Sequence, residues 1–157
     1  MTPSAKQIVT TLNLIYFALP VVMAGFALFV YVQIYLGEEM PPVDADFESL
    51  LQILVIATVP AGMSISYVAF KAVLKGIKPE LPLTSKLQRY QSAVLIRAAG
   101  FEMPGMFAAV AAFITNNTAF LLFTAVIIVL FLLFRPTISA ITNDLQLTAT
   151  ERSELEP

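Results

Sequence analysis

The sequence lacks three residue types that carry much of protein chemistry: it contains no cysteine, no histidine and no tryptophan. Without cysteine, this chain has no disulfide, no thiolate metal ligand and no thiol nucleophile. Without histidine, it lacks the commonest metal ligand and the most frequent general base. Any aromatic belt at a membrane surface must come from tyrosine and phenylalanine. We therefore expect no catalytic residue, no metal site and no cofactor, and a non-enzymatic role is favoured.

Charge is also scarce, whereas apolar residues are abundant. Only 13% of the 157 residues are charged and 58% are hydrophobic, and the mean hydropathy is +0.81. A soluble domain of this size needs more polar surface than that. Four long apolar runs account for the excess, at about residues 14–36, 50–74, 90–114 and 119–134, with a tail at 135–157. The sequence predicts an all-α integral membrane bundle of four transmembrane helices, forming a single domain over residues 1–157.

The charged residues between the runs predict how this bundle is oriented. The loop at residues 37–49 carries five acids and no lysine or arginine. Five of the nine basic residues lie around the loop after the second run: Lys71, Lys75, Lys78, Lys86 and Arg89. Because cytoplasmic loops are enriched in lysine and arginine, we expect both termini in the cytoplasm. This rule explains the basic loop more simply than binding of nucleic acid or of anionic lipid does. Membrane lipid is the expected surrounding, and no nucleic-acid partner is expected.

The third run differs from a simple membrane helix because it contains Arg97, Glu102 and Pro104. Four small residues share one helix face with Glu102: Ala98, Gly105, Ala109 and Ala112. Small residues let two membrane helices approach closely. The second run carries a similar stripe, formed by Thr58, Gly62, Ser66 and Ala69. We predict that the third helix lies at the centre of the bundle, with its small-residue face packed against neighbouring helices.

Glu102 is the main candidate for a functional group at membrane depth. It lies about 18 Å from residue 90, near the middle of a hydrocarbon core roughly 30 Å thick. Two interpretations remain open. In the first, Glu102 titrates or binds a cation in a transport cycle. In the second, it is a permanently protonated acid whose hydrogen bond within the bundle stabilises helix packing. In the second case it could donate to the carbonyl of Gly100, which Pro104 leaves without its helical partner.

Other polar residues complete the set of intramembrane candidates. Ser64 and Ser66 of the second run are expected near the level of Glu102, and Tyr67 nearer that of Arg97. Arg97 lies about 10 Å from residue 90, so we expect its long side chain to snorkel to the cytoplasmic interface.

Local signals also predict where several helices begin. The candidate N-caps are Asp46 or Ser49 for the second helix, Thr84 or Ser85 for the third, and Asn117 or Thr118 for the fourth. In the tail, residues 137–145 are mildly amphipathic, and Thr148 and Glu151 have the spacing of a capping box.

The chain resembles a group of small bacterial four-helix membrane proteins for which no function is assigned. The likeness covers most of the chain. It rests on the pattern Arg-x4-Glu-x-Pro, met by Arg97, Glu102 and Pro104, and on an Asp-Leu-x-Leu tail that starts at Asp144. The resemblance implies the same topology, in the inner membrane of a bacterium, and singles out Arg97 and Glu102.

The third run is also similar to the signature of the membrane-associated glutathione-metabolising enzymes, which pairs Arg, Asn, Glu and Pro on one helix. Arg97, Glu102 and Pro104 match three of the four, but the Asn is missing, and the motif falls on the third helix instead of the second. This resemblance implies a transferase that binds a thiol ligand near Arg97.

Three functions are therefore weighed. The first is a structural or accessory subunit that packs through its small-residue helix faces, against a second copy of itself or within a larger membrane complex. The second is a proton- or cation-linked transporter that uses Glu102. The third is a membrane glutathione-type transferase.

Overall fold

The computed structural model describes residues 4–37 and 43–155, and every regular element within these ranges is helical. Six α-helices follow one another: α1 Ala5–Leu36, α2 Ala45–Lys75, α3 Leu83–Thr115, α4 Leu121–Leu133, α5 Ile138–Leu145 and α6 Ala149–Ser153. A single 3-10 turn, Thr118–Phe120, leads into α4. Part of the acidic loop, including Glu38 and Glu39, lies outside the described residues. The all-α prediction is confirmed.

Three of these helices are long and apolar enough to cross a membrane. The helices α1, α2 and α3 contain 32, 31 and 33 residues, so each is about 45–50 Å long and exceeds the hydrocarbon thickness. The fourth predicted span is shorter. Residues Thr118–Leu133 extend only about 24 Å and are followed by α5 after a bend of 73°. The bundle therefore has three candidate spans, or four when this bent pair is taken as one.

The helix α3 lies at the centre and packs against α1, α2, α4 and α5. Half of its most apolar stretch is buried, compared with 22% in α1 and 17% in α2. The four small residues of its predicted packing face are all buried: Ala98, Gly105, Ala109 and Ala112. Short side chains on this face let the surrounding helices approach the α3 backbone. The central position predicted for this helix is confirmed.

The helices α2 and α3 run antiparallel and approach each other very closely at two glycines. A Cβ atom on Gly62 would lie 2.7 Å from the carbonyl oxygen of Gly100 and 3.2 Å from Cγ of Pro104. A Cβ atom on Gly100 would in turn overlap the side chain of Ser66. Glycine is therefore needed on both sides of this crossing, because the two backbones are almost in contact.

On its other side, α3 packs against α1 and α4. The Tyr16 hydroxyl of α1 donates a hydrogen bond to the Phe131 carbonyl of α4 (3.0 Å), and the Thr124 hydroxyl of α4 donates to the Gly105 carbonyl of α3 (2.9 Å). Tyr16 and Thr124 are fully buried. A hydroxyl in an apolar interior must find an acceptor, and both acceptors are backbone carbonyls of a neighbouring helix. These two bonds tie the three helices together.

Three helices begin at a different residue, or with a different N-cap, than the sequence predicts. The helix α1 begins at Ala5, well before residue 14, because Ser4 and Gln7 form a capping box. Asp44, and not Asp46, caps α2, since its carboxylate accepts the backbone N–H of Asp46 (2.8 Å). Neither Thr84 nor Ser85 caps α3, which begins at Leu83 after Pro82 without a side-chain cap.

The other local predictions are confirmed. Asn117 accepts the N–H of Ala119 at the start of the turn before α4, and Thr148 and Glu151 form the predicted capping box. The amphipathic tail segment forms α5, whose Ile141 is fully buried.

Candidate functional site

Glu102 lies near the middle of α3 and is half-buried. Within the described residues its carboxyl group makes no hydrogen bond and no ion pair. The carbonyl of Gly100 packs against Gly62 of α2. Glu102 projects from the helix about 200° away from Gly100, on the side of Gly105 and Ala109. The hydrogen bond considered between Glu102 and the Gly100 carbonyl is therefore not formed in this structure.

The polar candidates of α2 do not gather around Glu102 either. Ser64 and Tyr67 are exposed on the outer surface of α2. Ser66 is buried, but it packs on Gly100 and donates its hydroxyl hydrogen to the Met63 carbonyl of its own helix (3.0 Å). The structure thus places these side chains on two sides of α2 and leaves Glu102 apart from them.

Arg97 is buried, with 9% of its surface exposed, so the prediction that it snorkels to the interface is wrong. Its Nη2 donates to the carbonyl of Phe134 (2.9 Å), and its guanidinium carbon lies 4.3 Å from the centre of the Phe70 ring. Phe134 is the C-cap of α4, where the terminal carbonyls have no helical donor. The arginine therefore caps α4 through a charge-assisted hydrogen bond and stacks on an aromatic face.

The bundle end that carries the α2–α3 loop and the tail, called the tail end below, contains a network of charged residues. Lys86 forms an ion pair with Glu151 of α6 (2.7 Å between Nζ and Oε1), and Lys71 forms a longer one with Asp144 of α5 (3.7 Å). The Tyr90 hydroxyl also donates to Asp144 (3.3 Å). These contacts dock both tail helices onto α2 and α3.

The strongest of these contacts is the one between Lys86 and Glu151. Lys86 is only 5% exposed, so its ammonium group depends on the carboxylate for a partner. The hydrogen bond from Lys86, with a second from the backbone N–H of Thr148, holds the pKa of Glu151 below its usual value. Glu151 is thus ionised at neutral pH and compensates the buried lysine.

Beside this network lies a cleft of about 330 Å³, called the lysine cleft below. Four lysines line it: Lys71, Lys75, Lys78 and Lys86. Asp144 is the single acid among the lining residues that the structure describes. The sequence shows these lysines as a basic loop, but only the fold brings them around one depression.

A second depression, called the α2–α3 groove below, is a groove of about 570 Å³ lined by these two helices alone. All four residues of the small stripe on α2 line it: Thr58, Gly62, Ser66 and Ala69. Larger apolar side chains border them, among them Leu54, Ile65, Ile96, Met103 and Phe107. The hydroxyls of Thr58 and Ser66 are turned back onto carbonyls of their own helix. The groove therefore presents an almost entirely apolar surface.

No family model, curated protein or solved structure matches this chain. What the fold defines is a class: an all-α bundle with several helices long and apolar enough to cross a membrane. Within the described residues, no group of acidic side chains has the arrangement of a metal site. Within the described residues, two of the depressions are large enough to hold another molecule: the lysine cleft and the α2–α3 groove.

Proposed function

We propose that this protein is an accessory subunit of a membrane complex, and that its α2–α3 groove receives a transmembrane helix of a partner subunit. The supporting observation is the groove itself, which is apolar and open and has small residues along its floor. In a bilayer, helices associate through close packing, and small residues on one side allow the approach. A second copy of this chain and an unrelated subunit are the two forms of partner that the experiment below distinguishes.

The dimensions of the groove suit a helix. Along α2 it extends from Leu54 to Ala69, about 22 Å, which is most of the thickness of the hydrocarbon core. A helix is about 10 Å wide, so only one ridge of its side chains would enter, between Ile65 on one border and Met103 on the other. Both side chains are largely exposed in the isolated chain and would be covered by such a helix.

The small-residue face of α3 does not offer this surface. Ala98, Gly105, Ala109 and Ala112 are all buried, so they stabilise the bundle from within. At Gly105 the neighbouring side chains are Met23 of α1 and Ile127 of α4. Gly62 of α2 differs from these α3 residues. It packs against α3 on one side and is half-exposed in the groove on the other. A partner is therefore expected on the outer side of the α2–α3 pair.

Site-specific photocross-linking in cells tests this proposal. A photoreactive phenylalanine analogue replaces Ile65, which borders the groove, or Val68, which lies on the same helix outside it. The two side chains are similarly exposed, at 70% and 66%, so they form a matched pair. We expect a discrete protein adduct from position 65 and none from position 68. Its mass distinguishes a second copy from another subunit.

A blocking variant completes this test. Ala61 is exposed and lines the groove, so Ala61→Phe fills part of it without entering the buried interior. We expect this change to remove the adduct formed at position 65. Equal adducts from positions 65 and 68, or an adduct that persists in Ala61→Phe, would contradict helix docking in the groove.

We further propose that the helices α1 to α4 cross the inner membrane of a bacterium, with both termini in the cytoplasm. The support is the charge asymmetry of the loops: the lysines lie at the tail end, and the acidic residues of α2's first turn lie at the other. Labelling of single cysteines introduced at Lys78 and Asp46 with a membrane-impermeant reagent tests this orientation. Position 46 should react in intact spheroplasts, and position 78 only after lysis.

Transport through Glu102 is the second candidate function. It is supported by a half-buried carboxyl group that lacks a partner among the described residues, at a depth where a lone charge is costly. Proton uptake into liposomes that contain the purified protein tests it. Flux that disappears in Glu102→Gln supports transport, and flux equal to that of empty liposomes counts against it.

The glutathione-type transferase ranks third. Arg97, the residue expected near a thiol ligand, is directed to the end of α4 instead. Calorimetric titration with glutathione tests whether the protein binds the thiol ligand that such a transferase needs. An absence of binding would count against this function.

A further inference from the structure

We infer that the lysine cleft at the tail end binds a phosphate group. This inference is independent of the groove and of the function proposed for it, because different side chains on the other side of α2 carry it. The phosphate can belong to an anionic phospholipid headgroup or to a small soluble molecule. The two sources share one chemistry, and the experiment separates them.

The lysines of the cleft converge from three successive parts of the chain. Lys71 and Lys75 belong to the last turns of α2, Lys78 to the loop, and Lys86 to the first turns of α3. Leu74 and Ile77 are among the apolar residues lining the cleft between them. Four ammonium groups around one depression repel one another, and an anion bound among them relieves that repulsion.

The tail neutralises only part of this charge. Lys86 is paired with Glu151 and is almost fully buried, and Lys71 shares Asp144 at the longer distance of 3.7 Å. Lys75 and Lys78 are exposed and have no acidic partner among the described residues. The two lysines left unpaired, with Lys71 beside them, are the groups available to an added anion.

The kind and position of these groups favour phosphate. An ammonium group is a compact charge with three rotatable donors, which suits the tetrahedral oxygens of phosphate from several directions. The cleft lies at the end of α2, a helix long and apolar enough to cross a membrane. If α2 crosses the bilayer as proposed above, this end lies near the headgroup layer. Basic depressions at this level bind lipid phosphates. A volume of about 330 Å³ holds one phosphate with the group attached to it, but not a polymer strand.

The test compares two double variants that remove the same charge. Lys75→Gln/Lys78→Gln changes the cleft, whereas Lys6→Gln/Arg135→Gln changes two exposed basic residues at the same end of the bundle outside it. Binding of phosphatidylglycerol to the purified protein is measured by native mass spectrometry, with phosphatidylcholine as the zwitterionic reference. Inorganic phosphate is titrated in parallel by calorimetry. All four positions are exposed, so both double variants should unfold at the parent's temperature.

A lysine at an anionic headgroup contributes a factor of about five in affinity, so the cleft variant should bind phosphatidylglycerol about 25-fold more weakly. The control variant should remain within about threefold of the parent, because Lys6 and Arg135 do not line the cleft and their charges are screened by salt from a headgroup bound there. Loss for the lipid alone assigns the site to a headgroup, and loss for inorganic phosphate assigns it to a soluble phosphate compound. Equal weakening in both double variants, or no preference for phosphatidylglycerol over phosphatidylcholine together with no phosphate binding, overturns the inference.

Discussion

Replacing Gly62 with alanine tests whether the α2–α3 crossing depends on direct backbone contact. The added methyl group would lie 2.7 Å from the Gly100 carbonyl oxygen, about 0.7 Å inside ordinary van der Waals contact at 3.4 Å. The obstacle is a backbone atom and cannot rotate away, so α2 must shift relative to α3. Such overpacking costs about 1–3 kcal/mol.

The matched control is Gly25→Ala in α1, where nothing lies within 4 Å of the added methyl group. Alanine gains about 1 kcal/mol over glycine in a helix interior, and this gain is common to both variants. The two substitutions should therefore differ by about 1–3 kcal/mol in the free energy of unfolding, with Gly62→Ala the less stable. Denaturant titration in mild detergent, followed by circular dichroism, measures this difference.

The refuting result is equally specific. If Gly62→Ala is as stable as Gly25→Ala, then α2 and α3 do not touch at the Gly62–Gly100 crossing. The shape of the α2–α3 groove, which this crossing sets, would then be wrong as well.

Three further predictions concern single contacts. Arg97→Leu removes the hydrogen-bond donor to the Phe134 carbonyl at the end of α4. In the same denaturant titration it should lower the free energy of unfolding by about 1–3 kcal/mol. An unchanged free energy would show that water replaces the guanidinium. Thr124→Val removes the bond to the α3 backbone and should cost about 0.6–1.7 kcal/mol, and a gain in stability would contradict that bond. The hydrogen bond from Lys86 makes the pKa of Glu151 lower in the folded protein than in the unfolded chain. Glu151 therefore contributes fully to tail docking above the ordinary glutamate pKa of about 4.3, and this contribution is lost as the pH falls through the lower folded pKa. The protection factors of the tail amides, which correct for the pH dependence of intrinsic exchange, should fall over that acid range in the parent and should show no such step in Glu151→Gln.

Much of the fold could be predicted from the sequence because it follows from periodicity. The small residues of α3 recur at helical spacing around Glu102, and this pattern alone predicts a helix surrounded by others. The structure places that helix in the middle. The start of α1 could not be found from hydropathy, because its first turns are polar and are held by the capping box of Ser4 and Gln7.

The candidate site was harder to predict because its contacts are remote in sequence. Lys86 and Glu151 are 65 residues apart, and no local pattern connects them. Arg97 was expected to seek water, but the end of α4 supplies the carbonyl and ring of Phe134, and α2 supplies the ring of Phe70. A long basic side chain extends to the membrane interface to keep its charged group hydrated. Arg97 instead donates a hydrogen bond to a carbonyl inside the protein.

The docked tail also constrains the order in which the chain assembles. The tail contacts surfaces that exist only when α2 and α3 stand side by side: Lys71 comes from one helix and Lys86 from the other. The segments α5 and α6 are synthesised after α2 and α3, and they can dock fully only once that helical hairpin has formed. A protease or chaperone that recognises the unseated segment around Ile141 and Leu155 would therefore distinguish finished molecules from defective ones.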